Sequence, residues 1–509
     1  MNEARVHREI ERKLEVPARF LLPALADSAT GLGAAVAQPT LKLTAVYYDT
    51  ADLRLARHRI TLRRRTGGHD DGWHLKLPHA DEATRDEVQL PLGTSAEVPP
   101  ELATLVLGVT RGSELAPVAT LVNERRPTLV HTADGAPLAE VTDDRVTVKV
   151  NRRVTATFRE LEVEAGPGRT NDDLQPVIDA LIAAGATPSS FASKAVRALG
   201  PEAMLPPDVV HPGPVASSDP AGAAVHAFIA RHVAAFIAHD LRLRRGLPDA
   251  VHQMRVAARR LRSGLKIFAP LVDAAWAQQL TREIGWFAGQ LGASRDREVL
   301  EARLLEGMAT IEAPGAAKAM KIIRRELGHD EAEAFAQVQQ AMLSDRYLAL
   351  LDALVAAAQA PQLTEAAAQT VADTLPPLVR GAWKRLKRDV RGLRQKSPDE
   401  PWHEARIRAK HARYAADALA PVFGKPAKRL SKQLEQITEL LGRHQDASIA
   451  AETAMSLASS KGVGGKAGYA LGLLHDQQRA EVKETRRLFV EVWPSVSDPE
   501  WRHWLKPTS

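Results

Sequence analysis

The stretch HREIERKLEV, residues 7–16, alternates charged and apolar side chains. Read as a strand, it sets Glu9, Glu11 and Lys13 on one face and Ile10 and Leu14 on the other, because successive residues point to opposite sides of a sheet. The same alternation places Arg63 beside Arg65 in TLRRR, Lys76 in WHLKL, Arg85 with Glu87 in TRDEVQL, Glu140 in LAEVT, and Glu160, Glu162 and Glu164 in RELEVEA. Like charges two residues apart repel unless a cation or basic groups compensate them. Such faces either look out to solvent while their apolar alternates build a core, or converge and hold something charged between them. With no cysteine in the chain, any metal must be held by carboxylates or histidines.

The elements that carry these residues follow from their punctuation. Up to about residue 165, short alternating runs such as TAVYYDT, RITLRRR, GWHLKLP, DEVQLPL, RVTVKVN and FRELEVEA are separated by Gly, Pro and Asp, which predicts strands closing into a barrel. DDLQPVIDALIAAGA predicts a helix, with Asp at its start and Gly185 near its end. Proline-rich residues 201–220 read as a linker, and the remainder is Ala-rich and helical, with breaks near 313–315, 360–362 and 396–401. Within it VHQMRVAARRLRSGLKIFAPL at 251–271 matches WHEARIRAKHARYAADALAPV at 402–422, and the turns LGASRD at 291–296 and LGRHQD at 441–446 match each other. A period this long predicts a duplicated helical bundle, about 221–360 and 361–509, rather than a short solenoid repeat.

Length and composition bound the rest. A chain of 509 residues fits two or three domains. Residues 1–200 hold 25 Lys and Arg against 27 Asp and Glu, while the remainder holds 43 against 35, so the helical part is basic and suited to a polyanion. No apolar run approaches the roughly 18 residues of a membrane span, and the charged N-terminus predicts no signal peptide; with zero cysteines, a cytoplasmic chain is expected. Only 5% aromatic residues argue against single-stranded nucleic acid, which binds on stacking platforms.

On a helical wheel, His252, Arg255, Arg259, Arg262 and Lys266 fall within about 80° of one another, opposite Met254, Ala258, Leu261, Leu265 and Phe268. In the second copy His403, Arg406, Lys410 and Arg413 take the same offsets. A merely solvated face would interleave acids, since like charges at i and i+4 destabilise a helix, yet residues 252–266 contain none. A further basic face comprises Arg380, Lys384, Lys387, Arg391 and Arg394. Anion binding is the better reading of these stripes.

EIERK at 9–13, LRRR at 62–65, WHLKLP, TRDEVQL, FRELEVEA and FASKAVRAL at 191–199 together resemble, in order, the CYTH superfamily, the triphosphate tunnel metalloenzymes, over residues 5–200. The resemblance implies an α+β architecture whose N-terminal part is an eight-stranded antiparallel β tunnel binding a triphosphate end to end. It implies divalent metal, Mg²⁺ or Mn²⁺, at Glu9, Glu11, Glu160 and Glu162, with Glu140 and Asp144 assisting, and catalysis by Glu9, Glu11 and Lys13. Lys13, Arg63, Arg65, Lys76, Arg85, Arg125 and Lys194 are the implied phosphate ligands, with Arg126 an alternative to Arg125. Gln89 stands where the family often has a further acid. The repeated VHQMRVAARRLR motif and the paired LG turns resemble the CHAD domain over about 220–505, which implies two four-helix units binding inorganic polyphosphate through His252, Arg255, Arg259, Arg262, Lys266, His403, Arg406, Lys410 and Arg413. The second copy departs at His411 and Asp417, where the first has Arg260 and Lys266. The expectation is a CYTH domain at 1–200, a linker at 201–220 and a CHAD domain at 221–509. Such a chain is expected to hydrolyse inorganic triphosphate or a related triphosphate in the cytoplasm, with an association with polyphosphate granules as a further expectation. The competing expectations are a binding-only protein whose tunnel holds a polyphosphate end, and a nucleic-acid-binding module.

Overall fold

A computed structural model describes residues 5–26, 31–68, 70–79, 84–328 and 331–506. It divides into two compact units, Met1–Asp208 and Val209–Ser509. The first contains β1 (Arg5–Glu15), β2 (Leu32–Ala37), β3 (Leu41–Asp49), β4 (Thr61–Thr66), β5 (Gly72–Pro78), β6 (Thr84–Leu90), β7 (Ala116–Thr132), β8 (Pro137–Val150), β9 (Arg153–Ala165) and β10 (Thr187–Pro188). Eight of them form a ring in the order β1, β6, β5, β4, β3, β7, β8, β9, closed where β9 returns to β1 with Glu11 opposite Glu164. The expected eight-stranded antiparallel barrel is present, and closure leaves its strands without an open edge. β2 and β10 add to β7 and β1.

The sequence did not mark β7 as a strand, because Arg125-Arg126-Pro127 interrupts it. Residues up to Arg125 pair with β3, and those from Thr128 pair with β2. Pro127 therefore sits where one neighbour hands over to the next, the place at which a missing N–H costs least. Outside the barrel, the apolar alternates Leu14, Val141, Leu161 and Val163 pack under Val177, Ile178 and Leu181 of helix Gln175–Ala183. The short helix Lys194–Leu199, capped by Ser193 Oγ accepting from Val196 N–H, seats Ala195 against Ala45, Tyr47, Leu121 and Val148. Its docking delivers Lys194 to the charged interior.

Among the described residues the second unit is built of α-helices, with short 3₁₀ turns and two isolated β-bridges between them. Ala221–Arg244, Ala250–Ile267, Ala274–Ala309 and Asp345–Gln359 are repeated in order by Val371–Arg391, Asp399–Phe423, Lys425–Ala458 and Gly465–Val496, with Ala316–Leu327 and Glu331–Met342 inserted in the first copy. An antiparallel bridge joins Pro220 to Thr370, the residues that precede the first helix of each copy. Met254, Ala258, Leu261, Leu265 and Phe268 are all buried, as the wheel requires.

Two expectations are corrected. LGASRD and LGRHQD are not turns: both lie inside long helices, Ala274–Ala309 and Lys425–Ala458. A single interior glycine lowers helix propensity without breaking the helix, and in the second copy Leu441, His444 and Ala447 keep the buried spacing of a helical face. The side chains of 293–296 lie outside the described residues. Helix Ala221–Arg244 is also long and apolar enough to span a membrane by composition, with mean hydropathy 1.5 in its best window, although histidines and Arg231 interrupt the run. Here 56% of that window is buried in the protein, and Asp240 pairs with Arg244 at 2.8 Å while accepting from Tyr347 at 2.7 Å.

Helix Ala250–Ile267 crosses Ala221–Arg244 where Gly264 meets Phe228. A Cβ at Gly264 would lie 2.0 Å from Cε1 of that ring. Gly264→Ala should therefore lower stability by about 1–3 kcal/mol in urea unfolding, despite alanine's better helix propensity.

Candidate active site

The strand registers bring opposite charges face to face inside the barrel. Lys13 lies across from Glu162, Glu9 from Arg85, Glu87 from Lys76, and Arg125 from Asp144. Cross-strand partners stand about 5 Å apart, so period-two alternation on each strand becomes a charged wall. It surrounds a cavity of about 180 Å³ in which eight lining residues are Lys or Arg and six are Asp or Glu. All seven predicted phosphate-side residues line it, joined by Arg59. Arg125, not Arg126, faces inward; Arg126 pairs outside with Glu124 at 2.6 Å.

Three clusters make up the wall. In the first, Lys194 reaches Asp144 at 2.9 Å, Glu160 at 3.0 Å and Glu162 at 2.6 Å, while Arg125 holds Asp144 through two bonds of 2.9 and 2.7 Å and Glu162 at 2.8 Å. Burial opposes charge on Asp144 and Glu162, but these cations outweigh it and hold both carboxyls below the ordinary range. Glu160 stays raised by burial, and it lies outside the cavity lining, beside Lys194 and Arg197. The second cluster pairs Glu11 with Lys13; burial is again overcome, by Lys13 and Lys76, and the carboxyl is held at about 2. Across the ladder, Glu164 is pushed up to about 7 by the surrounding walls and by Glu9, although solvent reaches it.

In the third cluster Glu9 pairs with Lys76, and Glu87 meets His74 Nδ1 at 2.9 Å and accepts from Gln89 at 3.0 Å. The other His74 nitrogen lies 2.9 Å from the Asp70 carbonyl, so both ring nitrogens face acceptors. Burial lowers His74 to about 4 and Arg65 to about 9, the latter helped by Arg63 and Arg125 nearby. Nε of Arg63 and of Arg65 are buried without a hydrogen-bond partner.

Glu87, Glu164 and Arg59 line the cavity but were not among the residues chosen from sequence. The first two share alternation with chosen residues, whereas Arg59 lies just before its strand. Glu140 faces inward opposite Glu164 but does not join the described lining.

In the helical unit, Arg259, Arg262 and Lys266 face Arg385, Arg408 and Lys410 across a cleft of about 560 Å³, with no acid among its described lining residues. Lys410 is lowered to about 8 by burial and by Arg406, Arg259 and Arg413. Nε of Arg262, Arg406 and Arg413 are buried without hydrogen-bond partners. Arg413 is engaged by Glu435 and, at 3.2 Å, by Thr438; His403 bonds Gln445 at 2.6 Å, and His252 lines a separate cavity. The wheel of a single helix could not show Arg385 or Arg408, which enter the cleft from neighbouring turns and helices.

The CYTH domain model matches residues 7–178, and the CHAD domain model matches 227–454. The chain belongs to the CYTH–CHAD family. Proteins MT2285 and Rv2226 of Mycobacterium tuberculosis are each 33% identical to it over 523 residues, 96% of this chain and 95% of theirs. Among solved structures, PptA from Streptomyces chartreusis shares 31% identity at a TM-score of 0.48, covering 54% of this chain and 100% of its own. A CHAD domain from the plant Ricinus communis shares 24% at 0.45, covering 56% and 95%. Lys194 lies beyond the matched CYTH segment, yet it joins three acids of the CYTH barrel.

Removing that ammonium leaves Asp144, Glu160 and Glu162 facing one another. Lys194→Met should cost about 3–5 kcal/mol of stability at neutral pH, with the deficit shrinking as acid protonates the carboxyls; urea unfolding across a pH series reads both.

Proposed function

We propose that the CYTH tunnel hydrolyses inorganic triphosphate, or a closely related triphosphate, with a divalent metal, and that the CHAD cleft binds inorganic polyphosphate. The observation that carries the reading is the 180 Å³ cavity walled by eight cations and six acids. It is smaller than the roughly 300–1,000 Å³ of pockets that enclose drug-sized molecules. Lys13, Arg63, Arg65, Lys76, Arg85, Arg125 and Lys194 bind phosphate oxygens through charge-assisted hydrogen bonds. The orphaned Nε–H donors of Arg63 and Arg65 gain acceptors in the same event.

Among the described residues no three His, Asp or Glu side chains are gathered into a metal cage. The donor set nevertheless fits Mg²⁺ or Mn²⁺, hard ions commonly held by one or two carboxylates together with substrate phosphates and water. Glu9 and Glu11 on β1, with Glu162 on β9, are the residues that would hold it, and Glu160 supports them through Lys194. When bound, the ion supplies charge neutralisation and polarises the phosphoryl group under attack. The chain's own part is to align the triphosphate along the basic wall and to hold Glu11 ionised at neutral pH. Glu11→Gln removes a metal-side charge but no phosphate donor. It should lower kcat for tripolyphosphate roughly 10- to 100-fold while moving KM less, and chelator should abolish turnover. Full activity in excess chelator overturns the metal requirement. Phosphate bound but never released favours a tunnel that only holds a chain end.

Polyphosphate offers repeated charge and no base edges, and the cleft offers six cations and the unpartnered buried Nε–H of Arg262, an arrangement suited to a flexible polyanion rather than to sequence readout. Such binding fits a place at polyphosphate granules in the cytoplasm. Lys410 has its pKa depressed in the free protein, so polyphosphate that prefers the ammonium must bind with proton uptake. Affinity should fall as pH rises through about 8, and Lys410→Arg should flatten the fall. Replacing Arg255, Arg259 and Arg262 together should weaken binding and reduce its salt dependence; tighter binding of DNA at matched charge overturns the assignment.

A further inference from the structure

The turn that leads into β4 has a geometry that asks for glycine. Helix Arg54–Arg57 ends with Arg59 N–H donating to the Ala56 carbonyl at 2.9 Å and Ile60 N–H to the Leu55 carbonyl at 2.8 Å. This reciprocal pair of bonds closes a helix around a single left-handed residue, most often glycine. Here that residue is Arg59, at φ +58°. Glycine adopts this conformation without steric cost, whereas an L side chain crowds its own carbonyl.

Arg59 is exposed to solvent and also lines the tunnel cavity, beside Ile60, Thr61 and Ser193. It therefore stands at an opening of the tunnel. Two residues further on begins the inward row of Thr61, Arg63 and Arg65, opposite Lys76, His74 and Gly72 on β5, so Arg59 prolongs the basic row outward. A strained backbone residue beside a substrate cavity is a pointer to function.

We infer that Arg59 is a specificity-determining residue that favours a triphosphate ending in a bare phosphate over one whose outer end carries an organic group. The inference rests on the triphosphate reading of the tunnel. A terminal phosphate presents more charge and more free oxygens than a bridged one, and the planar guanidinium binds such oxygens in pairs. A nucleoside at the same place presents hydroxyls and a base. The aromatic ring among the described lining residues, Tyr47, is buried and lies 3.5 Å from Arg63 Nη1, so it offers the opening no stacking platform.

The full-length chain, Arg59→Gly and Arg59→Lys are compared for calorimetric binding of tripolyphosphate and of ATP with Mg²⁺, alongside phosphate release and thermal unfolding. Arg59→Gly should weaken tripolyphosphate binding about five- to tenfold and ATP binding less than twofold, with Arg59→Lys, which keeps the charge but not the paired donors, falling between Arg59→Gly and wild type. Its unfolding temperature should be unchanged or higher, because glycine relieves the left-handed turn. Equal loss for both ligands, or none, overturns the assignment, as does a destabilised Arg59→Gly that loses both. Wild-type chain that binds tripolyphosphate with this preference but never hydrolyses it removes the hydrolase reading alone. Hydrolysis with an unchanged preference in Arg59→Gly removes the Arg59 assignment alone, and wild-type chain that binds neither ligand overturns both.

Discussion

A closed barrel that turns its charged alternates inward must neutralise them within a few ångströms, and this Coulombic pairing is the constraint around which the β unit is built. Asp144, fully buried, would be untenable as an ion without Arg125 and Lys194 on either side. Lys194 comes from a helix after the last long strand, so docking of that helix belongs to the electrostatics of the tunnel as much as to its packing. The same constraint separates carboxyls of one type. Glu11 and Glu162 lie against cations strong enough to overcome burial, whereas Glu164, across the ladder from Glu11, is raised by burial and by Glu9.

Period-two alternation was legible because it needs only one strand at a time, and it identified the inward faces of β1, β4, β5, β6 and β9. What a single strand cannot show is its neighbour. Register decides that Glu164, rather than Glu160, joins Glu9 and Glu11 at the cavity, and register depends on the whole ring closing. The proline in β7 hid a strand whose partners change at that residue. The choice between Arg125 and Arg126 likewise waited on the β7–β8 ladder, which sets Arg125 beside Asp144. In the helical half, the wheel correctly divided buried from basic faces. The two LG motifs read as turns because their glycines and polar residues suit turns locally, while the tertiary packing of long helices overrides that preference.

Duplication of the helical unit creates something neither copy has alone. The cleft lies between the second helix of each copy, with Arg385 added from the first helix of the second, so its six cations are a property of the pair. Divergence between the copies follows from this placement. Lys266 lines the cleft, whereas its counterpart Asp417 lies in a separate cavity with Arg231 and Arg260 and accepts from Ser431 at 2.5 Å. An acid there keeps its negative charge out of the cleft lining.

The two basic sites solve opposite problems. In the tunnel nearly every cation already has a carboxylate partner, so an incoming polyanion must displace acids or bring metal to satisfy them. Binding energy is then spent on exchanging partners, and the outcome depends on where each oxygen falls, which favours discrimination over strength. The cleft gathers cations without acids among its described lining, and burial together with that crowding depresses Lys410. There the free protein bears the repulsion, and any flexible polyanion relieves it with little demand on shape. The first arrangement suits chemistry at one defined bond, and the second suits retention of a long chain.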